Sequence, residues 1–460
     1  MFLRVFRRLP QLARTVTCAV PMLVSVCLSL PAQAQQYSYQ NIVDTTVREP
    51  NSGSNPFSYI DQFSFNDSGV VAFIGGSASS STGVYLADAT RVRRLDNFNS
   101  SNFSINGQPT ALNNNGVTAF YFSPSNGAYL FTGAVGRSFQ TIVQQGGGTP
   151  LGQPYSSPND AFTYAPLDSV SISDNNFIGF VGVTDKSITG RDVGAFVTNG
   201  TTVRVLSTLG QAAPSGGVFG LPLNVDISEN SNFAVFDSNQ TGFYSGPVTV
   251  GLYRYTNPTL ASSTGTLLVG RSQAVPGGGL FSSFSAPTIA NDGTTAFWAS
   301  ITNGATQGVF VADAAGTVSK IAAVGDSLPG EAAVQALLGL TDVNQTGTVA
   351  FATRTGTTSQ STVRGIYTAQ KGASGTYDAF GRVVGVGDAL FGSTVTALRF
   401  SSDNLNNAGQ VAFRYTLANG RQGIAIASPS IVAAPEPGTL ALLSGVGMFG
   451  MFSRRRKRTR

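Results

Sequence analysis

Asn66-Asp67-Ser68-Gly69-Val70-Val71-Ala72-Phe73 returns as Asn113 to Phe120 (NNNGVTAF), Asn344 to Phe351 (NQTGTVAF) and Asn406 to Phe413 (NNAGQVAF). Ala290 to Phe297 (ANDGTTAF) keeps the Gly, at Gly293, with the Ala and the Phe, and two weaker copies end at Phe180 (SDNNFIGF) and Phe236 (ENSNFAVF). In the weak copies Asn176 and Asn232 stand where Gly69, Gly116, Gly347 and Gly409 stand elsewhere. Asn is the residue that, after Gly, most readily takes positive φ. The column therefore predicts a left-handed residue in a hairpin turn with a Gly bulge.

The seven phenylalanines, at 73, 120, 180, 236, 297, 351 and 413, lie 47 to 62 residues apart. After each comes a Gly-led apolar run, such as GVYLAD at 83, GLYRY at 251 or GIAIA at 423, and in all but the last unit a further run follows, such as VRRL at 92 or VRVL at 203. With the run before the turn, each unit holds four short strands, a to d in chain order. Seven tandem units of four antiparallel strands predict an all-β seven-bladed β-propeller over residues 36–430. The last unit stops at Pro429 without a d strand, whereas residues 42–50 (IVDTTVREP) align without a gap on 142–150 (IVQQGGGTP), the d strand and loop of the second unit. An N-terminal strand over 42–47 is thus expected to complete the seventh blade, which leaves no open edge; an open solenoid would need caps instead.

Charge and composition narrow the chemistry. Ten of the 28 Lys and Arg residues and one of the 23 Asp and Glu residues lie outside residues 35–434, which leaves 18 basic against 22 acidic and a net charge of −4 for the body. A sparsely charged, slightly acidic body lacks the clustered cations that nucleic acid requires. His is absent and the two Cys, Cys18 and Cys27, precede the body, so Ser-His-Asp and Cys-His catalysis and His or Cys metal sites are excluded.

Both ends carry addresses. Met1 to Arg14 is Arg-rich without an acid, Val16 to Leu30 is mostly apolar, and Ala32-Gln33-Ala34 has a small-x-small pattern. This predicts a signal peptide over 1–34, cut after Ala34 by signal peptidase; a buried N-terminal element suits four arginines less well. Near the other end, Pro435-Glu436-Pro437 precedes an uncharged stretch over 438–452 and then SRRRKRTR. As a helix that stretch spans about 22 Å against a ~30 Å hydrocarbon core. It is a short membrane helix over about 438–453 whose basic tail should stay cytoplasmic.

This order, over residues 435–460, resembles the PEP-CTERM sorting signal of Gram-negative bacteria. The resemblance implies recognition by an exosortase that cuts near Pro435 to Pro437, delivery of the body to the cell surface or beyond, and a link to extracellular polysaccharide; a plain C-terminal anchor is the alternative. The repeats themselves resemble an exported bacterial family of tandem Asn-x-x-Gly-x-x-Ala-Phe units. That resemblance implies architecture and location, with no catalytic residues to carry over.

Four d-to-a connections share a pattern: LGQAAPSGG at 209, SQAVPGGG at 272, VGDSLPG at 324 and VGDALFG at 386. Aligned, they put Gln211, Gln273, Asp326 and Asp388 at equivalent positions, expected around the channel mouth. Either they cap loop amides locally or they hold a sugar hydroxyl or Ca²⁺, although no Asp-x-Asp-x-Asp run supplies the six to eight oxygens Ca²⁺ takes. Trp298, next to Phe297, should point to the other side of its strand, where it could stack on carbohydrate. No cofactor and no catalytic residue is expected. The leading reading is a non-catalytic surface or matrix propeller that contacts polysaccharide. The other is a propeller glycosidase or lyase with paired carboxylates roughly 5 to 9 Å apart.

Overall fold

The computed structural model describes residues 35–50, 55–78, 82–95, 110–122, 129–134, 140–144, 170–184, 192–239, 248–355, 362–372 and 375–430. The chain divides into Met1–Gln33 and Ala34–Arg460, and the sheets lie in the second unit. The expected signal peptide with Ala34, the Pro435-Glu436-Pro437 triplet and the membrane helix over 438–453 fall outside the described residues. Among the described residues no helix is long and apolar enough to cross a membrane.

Seven antiparallel sheets follow one another, each ordered a-b-c-d from the axis outward. Their inner strands are Phe57–Phe65, Thr110–Leu112, Val170–Ile172, Val225–Ile227, Leu280–Ile289, Ala336–Val343 and Ser393–Arg399, and these define blades 1 to 7. Two small additions were not expected from sequence. A parallel pair, Val218–Phe219 with Val248–Thr249, flanks blade 4, and Ala389–Leu390 adds a fifth strand to blade 7.

The seventh blade takes its outer strand from the start of the described chain. Gln36–Asp44 pairs antiparallel with Gln422–Ser430, from Gln36↔Ser430 to Asp44↔Gly423. This strand starts earlier than the expected 42–47 and ends at Asp44. There the carboxylate accepts the Thr46 N–H at 2.8 Å and the Val47 N–H bonds the Asp44 carbonyl at 2.9 Å, which turns the chain away from the sheet. The strand also grips blade 6: the Tyr39 hydroxyl donates to the Val383 carbonyl at 2.6 Å, and the Tyr37 hydroxyl meets Thr368 Oγ1 at 2.6 Å.

Apolar side chains fill the spaces between blades. Each of the seven repeat phenylalanines is at most 1% exposed. Five stack on an aromatic of the neighbouring c strand, as in Phe73 on Tyr85 (5.2 Å, 19°) and Phe236 on Tyr253 (5.6 Å, 14°). Such pairs contribute roughly 0.5–1.5 kcal/mol beyond their burial. The period-two alternation that places Phe inward is therefore a packing device.

The turn column behaves as read with one exception. Gly69, Gly116, Gly293, Gly347, Gly409 and Asn176 all have positive φ. In blade 4 the left-handed residue is Ser231 (φ 62°) and not Asn232. That turn is one residue longer, because the Ser228 N–H reaches the Phe233 carbonyl, whereas the Asn66 N–H reaches Val70. The extra residue moves the kink back by one.

If the borrowed strand closes the ring, burying a charge in it should be costly. Val43 is fully buried and Ser38 is exposed. Val43→Asp should lose about 3 kcal/mol or more in urea unfolding, and Ser38→Asp less than about 0.5 kcal/mol.

Candidate functional site

The a-to-b turns of all seven blades meet at the axis. In blades 1, 2 and 6 the first turn residue, Asn66, Asn113 or Asn344, does two jobs. Its Oδ1 accepts two N–H groups of its own turn, and its Nδ2 donates at 2.9–3.0 Å to the carbonyl of the equivalent residue in the next blade. Asn406 keeps the first job, accepting from Ala408 and Gln410. The Ser173 and Ser228 hydroxyls cap their own turns in blades 3 and 4.

A second column forms a continuous ring. The backbone N–H groups of Asp67, Asn114, Asn291, Gln345 and Asn407 each donate to the side-chain oxygen of the corresponding residue in the next blade: Asn114, Asp174, Gln345, Asn407 and Asp67, at 2.6–2.9 Å. In the two links that flank blade 4, the Asp174 N–H reaches the Glu229 carbonyl at 2.8 Å and the Asn230 N–H reaches Asn291 Oδ1 at 2.9 Å. The Glu229 carboxylate, freed from the ring by the longer turn, lies across the mouth. Amide groups of Asn291, Gln345 and Asn407 donate to it at 3.1–3.3 Å. One carboxylate from blade 4 is thus held by blades 5, 6 and 7.

Beneath this lid two inner-strand carboxylates satisfy the next blade's backbone. Asp226 accepts from Ile289 N–H at 2.7 Å, Ile227 N–H at 2.8 Å and the Ser171 hydroxyl at 2.5 Å. Asp342 accepts the N–H groups of Asn404 and Leu405, both at 2.7 Å. Burial is the main force on both, and pushes Asp226 up to about 6 and Asp342 up to about 7, with the amide donors opposing. Glu229 is likewise raised, by burial first and then by the nearby Asp67 charge.

The space between lid and acids is about 80 Å³ and partly open. That is room for two or three waters at liquid density, far below the roughly 300–1,000 Å³ of ordinary ligand pockets. Among the described residues no three of His, Cys, Asp and Glu group to hold a metal ion.

A larger hollow lies apart from the turn ring. A shallow groove of about 420 Å³ between blades 4 and 5 is lined by Asn239, Arg271, Ser282, Ser283, Phe284 and Ser285, with Leu223 and Val250.

The residues singled out by sequence fall elsewhere. Gln211, Gln273, Asp326 and Asp388 are equivalent, since each side chain accepts the backbone N–H three residues earlier, at 2.7–3.2 Å. They do not ring the channel mouth. Each sits three residues past the end of an outer strand, so the loop starts at the rim and runs inward only later. Asp326 also pairs with Lys320 (2.9 Å) and Asp388 with Arg382 (2.7 Å). Trp298 does face the opposite side from Phe297, but there it packs in the core between blades 5 and 6. The ring was missed although its column reads Asp67, Asn114, Asp174, Asn230, Asn291, Gln345 and Asn407, a carboxylate or carboxamide in every unit, with the lid residue Glu229 one place before Asn230.

Residues 433–457 match the PEP-CTERM protein-sorting motif. The chain carries that signal, which implies an exported, membrane-transiting protein of a Gram-negative bacterium processed by an exosortase. Residues 221–441 match a family of unknown function, DUF7453. No curated protein matches the chain. Similar solved structures include TolB from Acinetobacter baumannii (13% identity, 67% of this chain and 62% of that one, TM-score 0.39). An ancestral GH74 enzyme (13%, 88% and 52%, 0.44) and prolyl oligopeptidase B from Galerina marginata (11%, 82% and 49%, 0.46) are others. The chain spans between 49% and 62% of the length of these three structures.

Two outcomes follow from the axial network. Asn113 is 3% exposed, and both Asn113→Ala and Asn113→Asp should lose about 2–3 kcal/mol in urea unfolding. The aspartate keeps the acceptor but turns a carboxylate toward the Ser173 carbonyl, so retained stability in that variant would show the inter-blade donor to be dispensable. The raised channel carboxyls favour the fold while protonated. Their contribution is complete below the ordinary carboxylate range and is lost as pH rises through about 6 and 7. The melting temperature should therefore fall between pH 5 and pH 8, and Asp342→Asn should flatten that fall.

Proposed function

We propose that this exported propeller is a non-catalytic scaffold of the cell surface or extracellular matrix that contacts exopolysaccharide. In this reading signal peptidase removes residues 1–34, an exosortase cuts near Pro435–Pro437, and no cofactor is needed. The observation that carries the non-catalytic part is the narrow axial space. Asp226, Asp342 and Glu229, from three different blades, are capped there by backbone or amide donors. The space they line is about 80 Å³, too little for a sugar ring beside an attacking water.

The polysaccharide contact is assigned to the groove between blades 4 and 5, where three serines, an amide and Arg271 line about 420 Å³. Hydroxyl and amide groups around a shallow, open trough suit a neutral or mildly acidic glycan chain, which offers hydroxyls along its whole length and needs no enclosed pocket.

The test uses the processed body with exopolysaccharide purified from the producing cells. Retention on the immobilised polymer is expected, with loss on filling the groove by Ser283→Trp and no release of reducing or unsaturated ends. Release of such ends, abolished by Asp226→Asn with Asp342→Asn, would replace this reading with a carboxylate-dependent glycosidase or lyase.

A further inference from the structure

The two ends of the propeller leave from one point. Gln36, at the start of the closing strand, is the cross-strand partner of Ser430, at the end of its neighbour. The sorting motif begins at residue 433. Only five residues separate Ser430 from Pro435 and eight from Gly438, at most about 18 Å and 28 Å of extended chain. The sorting segment is therefore on a short leash from the outer edge of blade 7.

A blade's own width sets the comparison. Four strands at about 4.8 Å spacing put its outer strand about 14 Å from its inner one, so outer edges on opposite sides of the ring lie more than about 28 Å apart. A leash of about 18 Å therefore keeps the outer edge of blade 7 closer to Pro435 than the outer edges of blades 3 and 4.

The edge near the exit is suited to close approach. Neither Gln35–Asn41 nor Gln422–Ser430 contains a Lys, Arg, Asp or Glu. Gln36, Ser38 and Gln40 are exposed, and Tyr39, 36% exposed, is fixed in place by its hydroxyl bond to Val383. An edge without charges, with Tyr39 fixed against blade 6, offers a neighbouring protein hydrogen-bonding side chains with little desolvation cost.

We propose that the outer edge of blade 7, centred on Ser38, Gln40 and Tyr39, is the docking face for the membrane-embedded exosortase, which thereby holds the propeller edge-on to the membrane. The proposal rests on the sorting motif and is independent of the polysaccharide reading.

Photo-crosslinking in the producing cells tests it, with the full chain and a p-benzoylphenylalanine at one exposed position at a time. Ser38 and Gln40 should crosslink to the exosortase at least about fivefold more than Thr201 in blade 3 or Leu260 in blade 4, as expected for a short tether. Equal yields at the four positions, or a preference for blades 3 and 4, would overturn the docking face. The mass of the released chain separates the premise from the proposal. A product still carrying residues 438–460 would mean that the motif is not cut, which also removes the proposal. Normal cutting without the Ser38 and Gln40 preference would refute the orientation alone.

Discussion

A circular array of sheets leaves the inner edge of every blade facing its neighbour, so the donors along that edge must be met by the next blade or lost to burial. This chain meets them with side chains. In six of the seven blades the turn column hands one backbone N–H to a carboxylate or carboxamide of the next, in blade 3 to the Glu229 carbonyl, and deeper in the channel Asp226 and Asp342 accept amides from the blades that follow them. A buried backbone group left unpaired costs about 1–3 kcal/mol. The penalty for a missing neighbour therefore recurs around the ring, and no blade is complete alone.

Closure is made twice by different means. At the axis, the Asn407 N–H bonds Asp67 Oδ1 at 2.7 Å and joins blade 7 to blade 1. At the rim, the strand Gln36–Asp44 completes blade 7 and reaches blade 6 through Tyr37 and Tyr39. The inner closure is a polar contact and the outer one a strand pairing, and both join residues far apart in the chain, Asn407 with Asp67 and Gln36 with Ser430, so the two close loops of nearly equal entropic cost. Such a division lets a ring whose blades are individually incomplete become a single cooperative body.

The fold was legible because its rules are local. A left-handed turn residue asks for Gly or Asn, inward packing asks for Phe four residues on, and both requirements show in one unit without reference to the next. The site was much less legible. Glu229 is an ordinary solvated acid in sequence, and becomes a lid only because one extra turn residue pushes its side chain over the axis where three other blades supply amides. Ser231 taking the left-handed role from Asn232 has the same cause. Gln211, Gln273, Asp326 and Asp388 were correctly aligned with one another, but alignment along the chain does not say where a loop stands between rim and axis. The column holding Asp67 and Asn407 was visible all along, and its uniform capacity to accept a hydrogen bond was the unused signal.

An axial space of about 80 Å³ moves the question of function to the other surfaces that the ring presents. In the proposed docking the outer edge of blade 7 is the one nearest the membrane, and the groove between blades 4 and 5 lies on other blades of the ring. The hydrogen-bonded channel then serves rigidity: with its acids spent on backbone donors, the disc can transmit the position of one edge to the other without flexing between blades. Where the sorting segment leaves the ring follows from the register of a single strand pair, Gln36 against Ser430.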